Sequence, residues 1–326
     1  MKILHTAIYS SSISAITFLA GCSVGSGVHF APLATGAIAS RAATHPVPPN
    51  CCAHTKTLFI SNALNGTVQM FRFPSNKYIG QVAAPPEGFG LPEGMCNDDK
   101  GNVYIANSSE YTIDEYSHDG TFVRALPEPG ESSISCAFDR STGDLAVSNE
   151  TNDENGPGSV TVYKRATGSP TTYTNSEFAH IDFLDYMGKT GVLYFDGTNN
   201  SNQFVYGSLR RGKIKLIPIV GATIKYGGTV AYSAKTHSMN VGDQLATVLY
   251  QVSATGRITG STPLPGSKDV LVGTIQGGRF VAPDAEGDIV RIYAYPEGGD
   301  PQSTITKHLT GSAGSAVSPA DDSDRS

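Results

Sequence analysis

The sequence predicts an all-β fold: a six-bladed β-propeller of four-stranded antiparallel blades, closed by a C-terminal strand that joins the first blade. Three observations carry this. A hairpin recurs at a nearly constant step, turn-forming residues separate its copies, and no run shows capped apolar periodicity of 3.6 residues. The hairpin is plainest in "NVYIANSSEYTIDEY" (Asn102–Tyr116), where an apolar run ending on Asn107 and an alternating run flank a polar turn. "LFISN" (Leu58–Asn62) with "TVQMF" (Thr67–Phe71) repeats it, as does "LAVSN" (Leu145–Asn149) with "VTVYK" (Val160–Lys164). Looser copies begin at "VLYFDG" from Val192, "MNVGD" from Met239 and "RFVAPD" from Arg279. Starting positions 58, 103, 145, 192, 239 and 280 give steps of 45, 42, 47, 47 and 41 residues, the length of a propeller blade.

Each copy needs an inner strand before the hairpin and an outer strand after it. "EGMCND" (Glu93–Asp98) and "FVRAL" (Phe122–Leu126) supply these in the second copy, and "ISCAF" (Ile134–Phe138) is the inner strand of the third. In the last copy "DVLVGTI" (Asp269–Ile275) precedes the hairpin and "STITKHL" (Ser303–Leu309) follows it. Gly, Asp and Asn in "DDKGN", "SHDG", "RSTGD" and "AEGD" provide the turns between them. The first copy lacks an inner strand, and an open sheet edge invites aggregation. "GSAGSAVSPADD" (Gly311–Asp322) parallels "GLPEGMCNDDK" (Gly90–Lys100), so Ser315–Ser318 is expected to complete the first blade.

Composition agrees with a turn-rich β protein: 36 glycines and only 16% charged residues in 326. The net charge of -6 and the absence of a basic stripe, with Arg210, Arg211, Lys213 and Lys215 the most basic spot, argue against nucleic-acid binding. The N-terminus carries Lys2, a moderately apolar run and then "LAGC" (Leu19–Cys22), which resembles a bacterial lipobox. Residues 1–21 are accordingly expected to be a lipoprotein signal peptide, with Cys22 the lipidated residue. No other segment approaches the length of a membrane span. Residues 22–56, with "HPVPPN" (His45–Asn50), read as a flexible tether, 57–319 as the propeller and 320–326 as an acidic tail. The expected location is the cell envelope, lipid-anchored and exported; Ser23 after the cysteine favours the outer membrane if the host is Gram-negative. Cys51 and Cys52 are adjacent and poorly placed to pair with each other, and no Cys/His spacing matches a zinc site. Cys96 and Cys136 hold equivalent inner-strand positions in neighbouring blades, as either a disulfide or two buried thiols. The separation expected of inner strands favours thiols.

The units "PEGMCNDDKGNVYIAN" and "SCAFDRSTGDLAVSN" resemble those of NHL-repeat and gluconolactonase-like six-bladed propellers over residues 57–319. They are more similar still to uncharacterised bacterial propeller lipoproteins built on PEG-x-C…GN-x-x-x-x-N. Gluconolactonase-like enzymes hold an axial metal with a Glu and with Asn or Asp from several blades. The resemblance implies such a role for Glu93 in "LPEG" alone, since the other ligands do not map by motif.

Candidate site residues follow from the repeat. In a four-stranded meander the loop joining strands two and three shares a face with the link between blades. That face would collect Asn62, Asn107, Asn149, Asp196, Asp243 and Asp284, one per blade. It would also gather Glu93, Ser132, Ser133 and Asp182 from the starts of inner strands. Such a ring of oxygens suits Ca²⁺ or a sugar, but strand-end Asn and Asp also cap turns through local hydrogen bonds, the plainer reading. The loop "ETNDENGPGS" (Glu150–Ser159) bears Glu150, Asp153 and Glu154 without EF-hand spacing and reads as a solvated excursion. No G-x-S-x-G elbow is present, and His118, His180, His237 and His308 show no evident partners. The tyrosines Tyr104, Tyr116, Tyr163, Tyr194, Tyr206, Tyr250 and Tyr293 recur in middle strands and are expected to fill contacts between blades. The absence of Trp weakens a carbohydrate platform. The function expected is that of a monomeric binding module without catalysis or cofactor, engaging a protein or envelope polymer through the loop-rich face. The alternative is a metal-dependent lactonase, hydrolase or lyase with an axial Ca or Zn site.

Overall fold

The computed structural model describes residues 56–128, 131–152 and 156–318. The expected signal segment, Cys22, the tether up to residue 55, Cys51, Cys52, Asp153, Glu154 and the acidic tail lie outside them. Six four-stranded antiparallel sheets form a ring. The first contains β1 (Thr57–Asn62), β2 (Thr67–Arg72) and β3 (Lys77–Gln81); the second, β4 (Pro92–Asn97), β5 (Val103–Asn107), β6 (Thr112–Tyr116) and β7 (Phe122–Pro127). The third contains β8 (Glu131–Phe138), β9 (Leu145–Asn152), β10 (Ser159–Tyr163) and β11 (Thr171–Thr174). The fourth runs through β12 (His180–Tyr186), β13 (Leu193–Thr198), β14 (Phe204–Arg210) and β15 (Lys213–Leu216). The fifth comprises β16 (Gly227–Ser233), β17 (Ser238–Asp243), β18 (Val248–Val252) and β19 (Ile258–Pro263). The sixth is β20 (Thr274–Gln276), β21 (Arg279–Asp284), β22 (Ile289–Ala294) and β23 (Ser303–Ile305). β24 (Ser312–Ser318) then returns to pair antiparallel with β1 as the inner strand of the first blade.

Apolar residues alternate along the strands so that each sheet buries both faces against its neighbours. Phe59, Met70, Val103 and Tyr116 fill the space between blades one and two. Leu58, Phe71, Val281 and Ile292 do so between blades one and six, across the join of the chain ends. Ala146, Val160, Leu193 and Phe195 sit between blades three and four. The tyrosines add a polar anchor at or next to the end of the third strand of a blade. Tyr116, Tyr163 and Tyr293 donate their hydroxyls to the carbonyls of Ala83, Pro127 and Pro265, at 2.9, 2.8 and 3.0 Å. Ala83 and Pro265 lie in the link that enters the same blade and Pro127 ends β7 directly before it, so one side chain fills a contact and fixes a connection.

Cys96 of β4 and Cys136 of β8 form a disulfide with Cα atoms 5.5 Å apart, correcting the expectation of free thiols. Inner strands crowd toward the axis, which brings these two within bonding range. The same crowding is visible at glycines. A methyl group on Gly94 would stand 2.6 Å from the Ile134 carbonyl oxygen and 2.8 Å from Val272 Cγ2, placing blades two, three and six in contact. On Gly228 it would lie 2.6 Å from the carbonyl oxygen of Val270. The axis at this depth is packed protein.

Every inner strand is also irregular near its start. Glu93 and Gly94 together oppose the single Ala106, and Asp182 and Phe183 together oppose Asp196. Ala313, Ile134 and Thr229 are the extra residues in blades one, three and five. In blade six, residues 271–273 span a two-residue gap in β21. The inner strand expected over Asp269–Ile275 therefore pairs regularly only from Thr274. Val272 instead exchanges backbone hydrogen bonds with Ala313 and Ser315 of the next blade, both at 2.9 Å. Such bulges bend a strand and re-aim its side chains. The outer strand expected over Ser303–Leu309 likewise ends early, at Ile305.

β24 is buried along its whole length and supplies Ala316 and Val317 to two interblade cores. Deleting residues 311–326 should abolish the cooperative thermal transition seen by circular dichroism and leave β1 as an open, aggregating edge. A truncated chain that melts like the full-length one contradicts this closure.

Candidate functional site

Six Asx residues lie at or near the ends of the second strands, Asn149 three and Asp196 two residues short of them, and their side chains reach farther than their own turns. Asn62 and Asn107 make no side-chain cap to the 3-10 turns that follow them. Asn62 instead donates from Nδ2 to the His308 carbonyl (2.8 Å) and accepts from the Thr310 amide (3.2 Å). Asn107 accepts from the Gly90 amide (3.0 Å) and donates to the Gly88 carbonyl (2.9 Å). Asn149 donates to Glu128 Oε1 at 2.9 Å. Each of these partners lies in the link that carries the chain into that blade. Asp243 accepts from the Lys225 amide (3.2 Å), and Asp284 from the amides of Lys268 (3.0 Å) and Asp269 (3.2 Å). Asp243 and Asp284 also accept from amides of their own turns, as a cap would. Asn stands where the link offers an acceptor, and Asp where it offers only N–H donors. Among the sequence-level candidates, then, Asn62, Asn107, Asn149, Asp243 and Asp284 are spread around the ring as clamps on the links.

Glu93, Asp182 and Asp196 are brought together, and two residues of β9 and β12 join them. The bulge in β12 puts Asp182 at the axis, where its carbonyl accepts a 2.6 Å hydrogen bond from Ser148 Oγ of β9. It also turns the Phe183 amide onto Asp196 Oδ1 at 3.0 Å. β9 runs three residues beyond Asn149, carrying Glu150 to the start of β12, where Glu150 Oε1 lies 3.4 Å from His180 Nδ1. The bulge in β4 presents Glu93, and the Cys96–Cys136 disulfide three residues further along fixes β4 against β8. The result is an acidic mouth over the closed axis. Glu93 is 3% exposed at its base, Asp182 is half-buried, and the side chains of Glu150 and His180 are 23% and 33% exposed at its rim.

Among the described residues of this region, Glu93 Oε1, the Ser133 hydroxyl on the adjacent inner strand and His180 Nδ1 have no hydrogen-bond partner, His180 meeting Glu150 as a 3.4 Å ion-pair contact. Behind the mouth, Asp196 Oδ2 is equally without one. Burial pushes the Glu93 carboxyl well above its usual range, and the charges of Glu150 and Asp182 add to the effect. Asp182 is raised to about 7, first by burial and then by Glu150, with His180 pulling the other way. Asp196 is raised by burial and by Asp182. The Glu150 carboxylate beside it raises His180, against the desolvation that opposes its charge. Carboxyl groups poised near neutrality can give or take protons and can hold a positive charge. Among the described residues no three His, Cys, Asp or Glu side chains converge as a metal set. Sequence reasoning set His180 aside for want of a partner and took Glu150 for a solvated loop residue. The extension of β9 that joins them has no sequence signature.

No family model matches this chain, and no curated protein matches it in sequence. Solved structures do share its fold. A chain of a nidogen/laminin complex superposes with a TM-score of 0.65 at 14% identity, covering 81% of this chain and 98% of the other. A streptogramin B lyase structure gives a TM-score of 0.48 at 16% identity, covering 65% and 69%.

The raised acids fix the sign of the pH dependence. Asp114, buried beside Asn107, is pushed up to about 7 by desolvation, against hydrogen bonds from Thr112 and Asn107 that lower it; Asp269 is pushed up to about 6. With Asp182, these groups hold protons in the folded state that the unfolded chain has already released, so stability is lost as pH rises from the ordinary carboxylate range through about 7. The thermal midpoint should fall by roughly 5 °C between pH 5 and pH 8, and Asp114→Asn should flatten the profile. A midpoint that climbs over that interval contradicts these assignments.

Proposed function

We propose that this chain is an exported, lipid-anchored binding module without catalysis or a resident cofactor. It takes a protein or envelope-polymer partner on the face that bears the interblade links and the loops between second and third strands. The observation that carries this reading is the closed axis. With Gly94 packed against Ile134 and Val272, strands of blades two, three and six meet among the described residues near the axis and leave little space there to enclose a substrate. Three of the large apolar residues that remain exposed, Leu64, Tyr111 and Leu245, lie in or next to second-to-third-strand loops on that same face. The Cys96–Cys136 disulfide favours an oxidising compartment, in keeping with export past a lipobox ending at Cys22. Solved propellers of this shape include a chain from a protein–protein complex.

The alternative, a metal-dependent lactonase, hydrolase or lyase with axial Ca or Zn, draws on Glu93 and its unpartnered oxygen. One experiment separates the two. Purified protein is sedimented with insoluble envelope polymer and, separately, passed over immobilised envelope proteins. Leu64→Glu combined with Leu245→Glu should remove capture, whereas Val123→Glu on the outer strand of blade two should not. Turnover of lactone or ester substrates in the presence of Ca²⁺ or Zn²⁺, lost in Glu93→Gln, would overturn the binding-module reading.

A further inference from the structure

The acidic mouth has chemistry that a plain docking face does not require. Four carboxyl groups from four strands surround or back it: Glu93 of β4, Glu150 of β9, Asp182 of β12 and Asp196 of β13. Against them stands one basic group, His180, already engaged by Glu150. Glu93 Oε1 and Ser133 Oγ are each more than nine-tenths buried and have no partner. Leaving such groups unsatisfied costs folding energy, and a ligand donor that reaches them recovers it.

We infer that this mouth binds one organic cation, the ammonium or guanidinium head of a lysine or arginine side chain presented by a protein partner. The inference rests on the binding-module reading and names the group that reading leaves open. Charge complementarity excludes an anion, and a neutral polyol would gain nothing from the acidic charge. Among the described residues no three acids converge as a metal set, whereas an ammonium presents three donors and a guanidinium five to groups that lie side by side. The exposed Leu64, Tyr111 and Leu245 on the same face give a protein partner the apolar contact that a free amine would not use. Binding a cation favours the ionised carboxylates, so protons leave the mouth as the ligand enters. The groups that titrate there are Glu93, Glu150, Asp182, Asp196 and His180.

The test uses n-butylammonium and n-butylguanidinium as probes and n-butanol as their neutral counterpart, read by saturation-transfer NMR on the full chain. Both cations should bind and butanol should not. Glu150→Gln with Asp182→Asn should weaken the cations by at least about tenfold, the effect of losing charge-assisted contacts, while melting at or above the parent temperature. Calorimetry below pH 7 in buffers of different ionisation enthalpy should show proton release on binding. Equal binding of butanol, undiminished binding by the double variant, or a stoichiometric Ca²⁺ that displaces the cations would each overturn the inference. Capture of envelope proteins separates its failure from that of the reading beneath it. Capture that persists undiminished in the double variant sinks the cation site and leaves the module standing. Cation binding by a chain that captures neither protein nor polymer sinks the module and leaves the site.

Discussion

A chain that builds a ring of blades must, after finishing each blade at the rim, cross one face back to the axis before it can start the next. These crossings lie outside the ladders, so their amides and carbonyls find few backbone partners, and unpaired polar groups are costly wherever water is excluded. This propeller meets the requirement with an Asx at or near the end of each second strand. Asn62, Asn107, Asn149, Asp243 and Asp284 each reach back to the incoming link of their own blade, and Asp196 performs the same office for the bulge amide of Phe183. The choice between amide and carboxylate follows the link. A carbonyl at His308 or Gly88 demands a donor, whereas bare amides at Lys225 or Lys268 are better served by a charge. Tyrosine hydroxyls from the third strands hold three of the same links from a second direction.

The clamps and the bulges are parts of one arrangement. An inner strand that starts from a fixed link and then has to pack against two neighbours at the axis absorbs the mismatch with one extra residue. The glycines at Gly94, Gly228 and Gly314 let the backbones close on each other. Where the bulge residue is small, as at Ala313, or a β-branched Thr229 bonded to the Leu271 carbonyl, the axis is sealed. In blades two and four it includes a carboxylate, and in blade three the second strand overshoots. That local departure from the repeat is the origin of the acidic mouth. It also explains the poised carboxyl groups, which are desolvated by the same packing that closes the channel.

Strand positions were legible because alternation and turn chemistry act locally. Leu58, Val103, Leu145 and the three later starts all fall within one residue of a strand start, and Ser315–Ser318 falls inside β24. The ring of Asx was visible too, but not its partners: Asn62 and Thr310 are 248 residues apart in sequence. Bulges left no trace, because an extra residue in a ladder is set by how neighbouring strands meet. The disulfide was misjudged for a related reason. Its geometry depends on how tightly inner strands converge, and the glycines that permit convergence at Gly94 and Gly314 look like ordinary turn residues in sequence. Glu93 was singled out by its place at the start of an inner strand and by resemblance to a motif; His180 and Glu150 had no such aid, since their meeting depends on the overshoot of β9.

The clamp is most directly tested by hydrogen exchange at the link amides. Gly90, Lys225 and Lys268 are exposed residues, and only the acceptors of Asn107, Asp243 and Asp284 engage their amides. Protection of these three comparable to that of strand interiors, lost one blade at a time in Asn107→Ala, Asp243→Ala and Asp284→Ala, is the result the clamp requires. Exchange at the rate of open loops in the parent protein would contradict it.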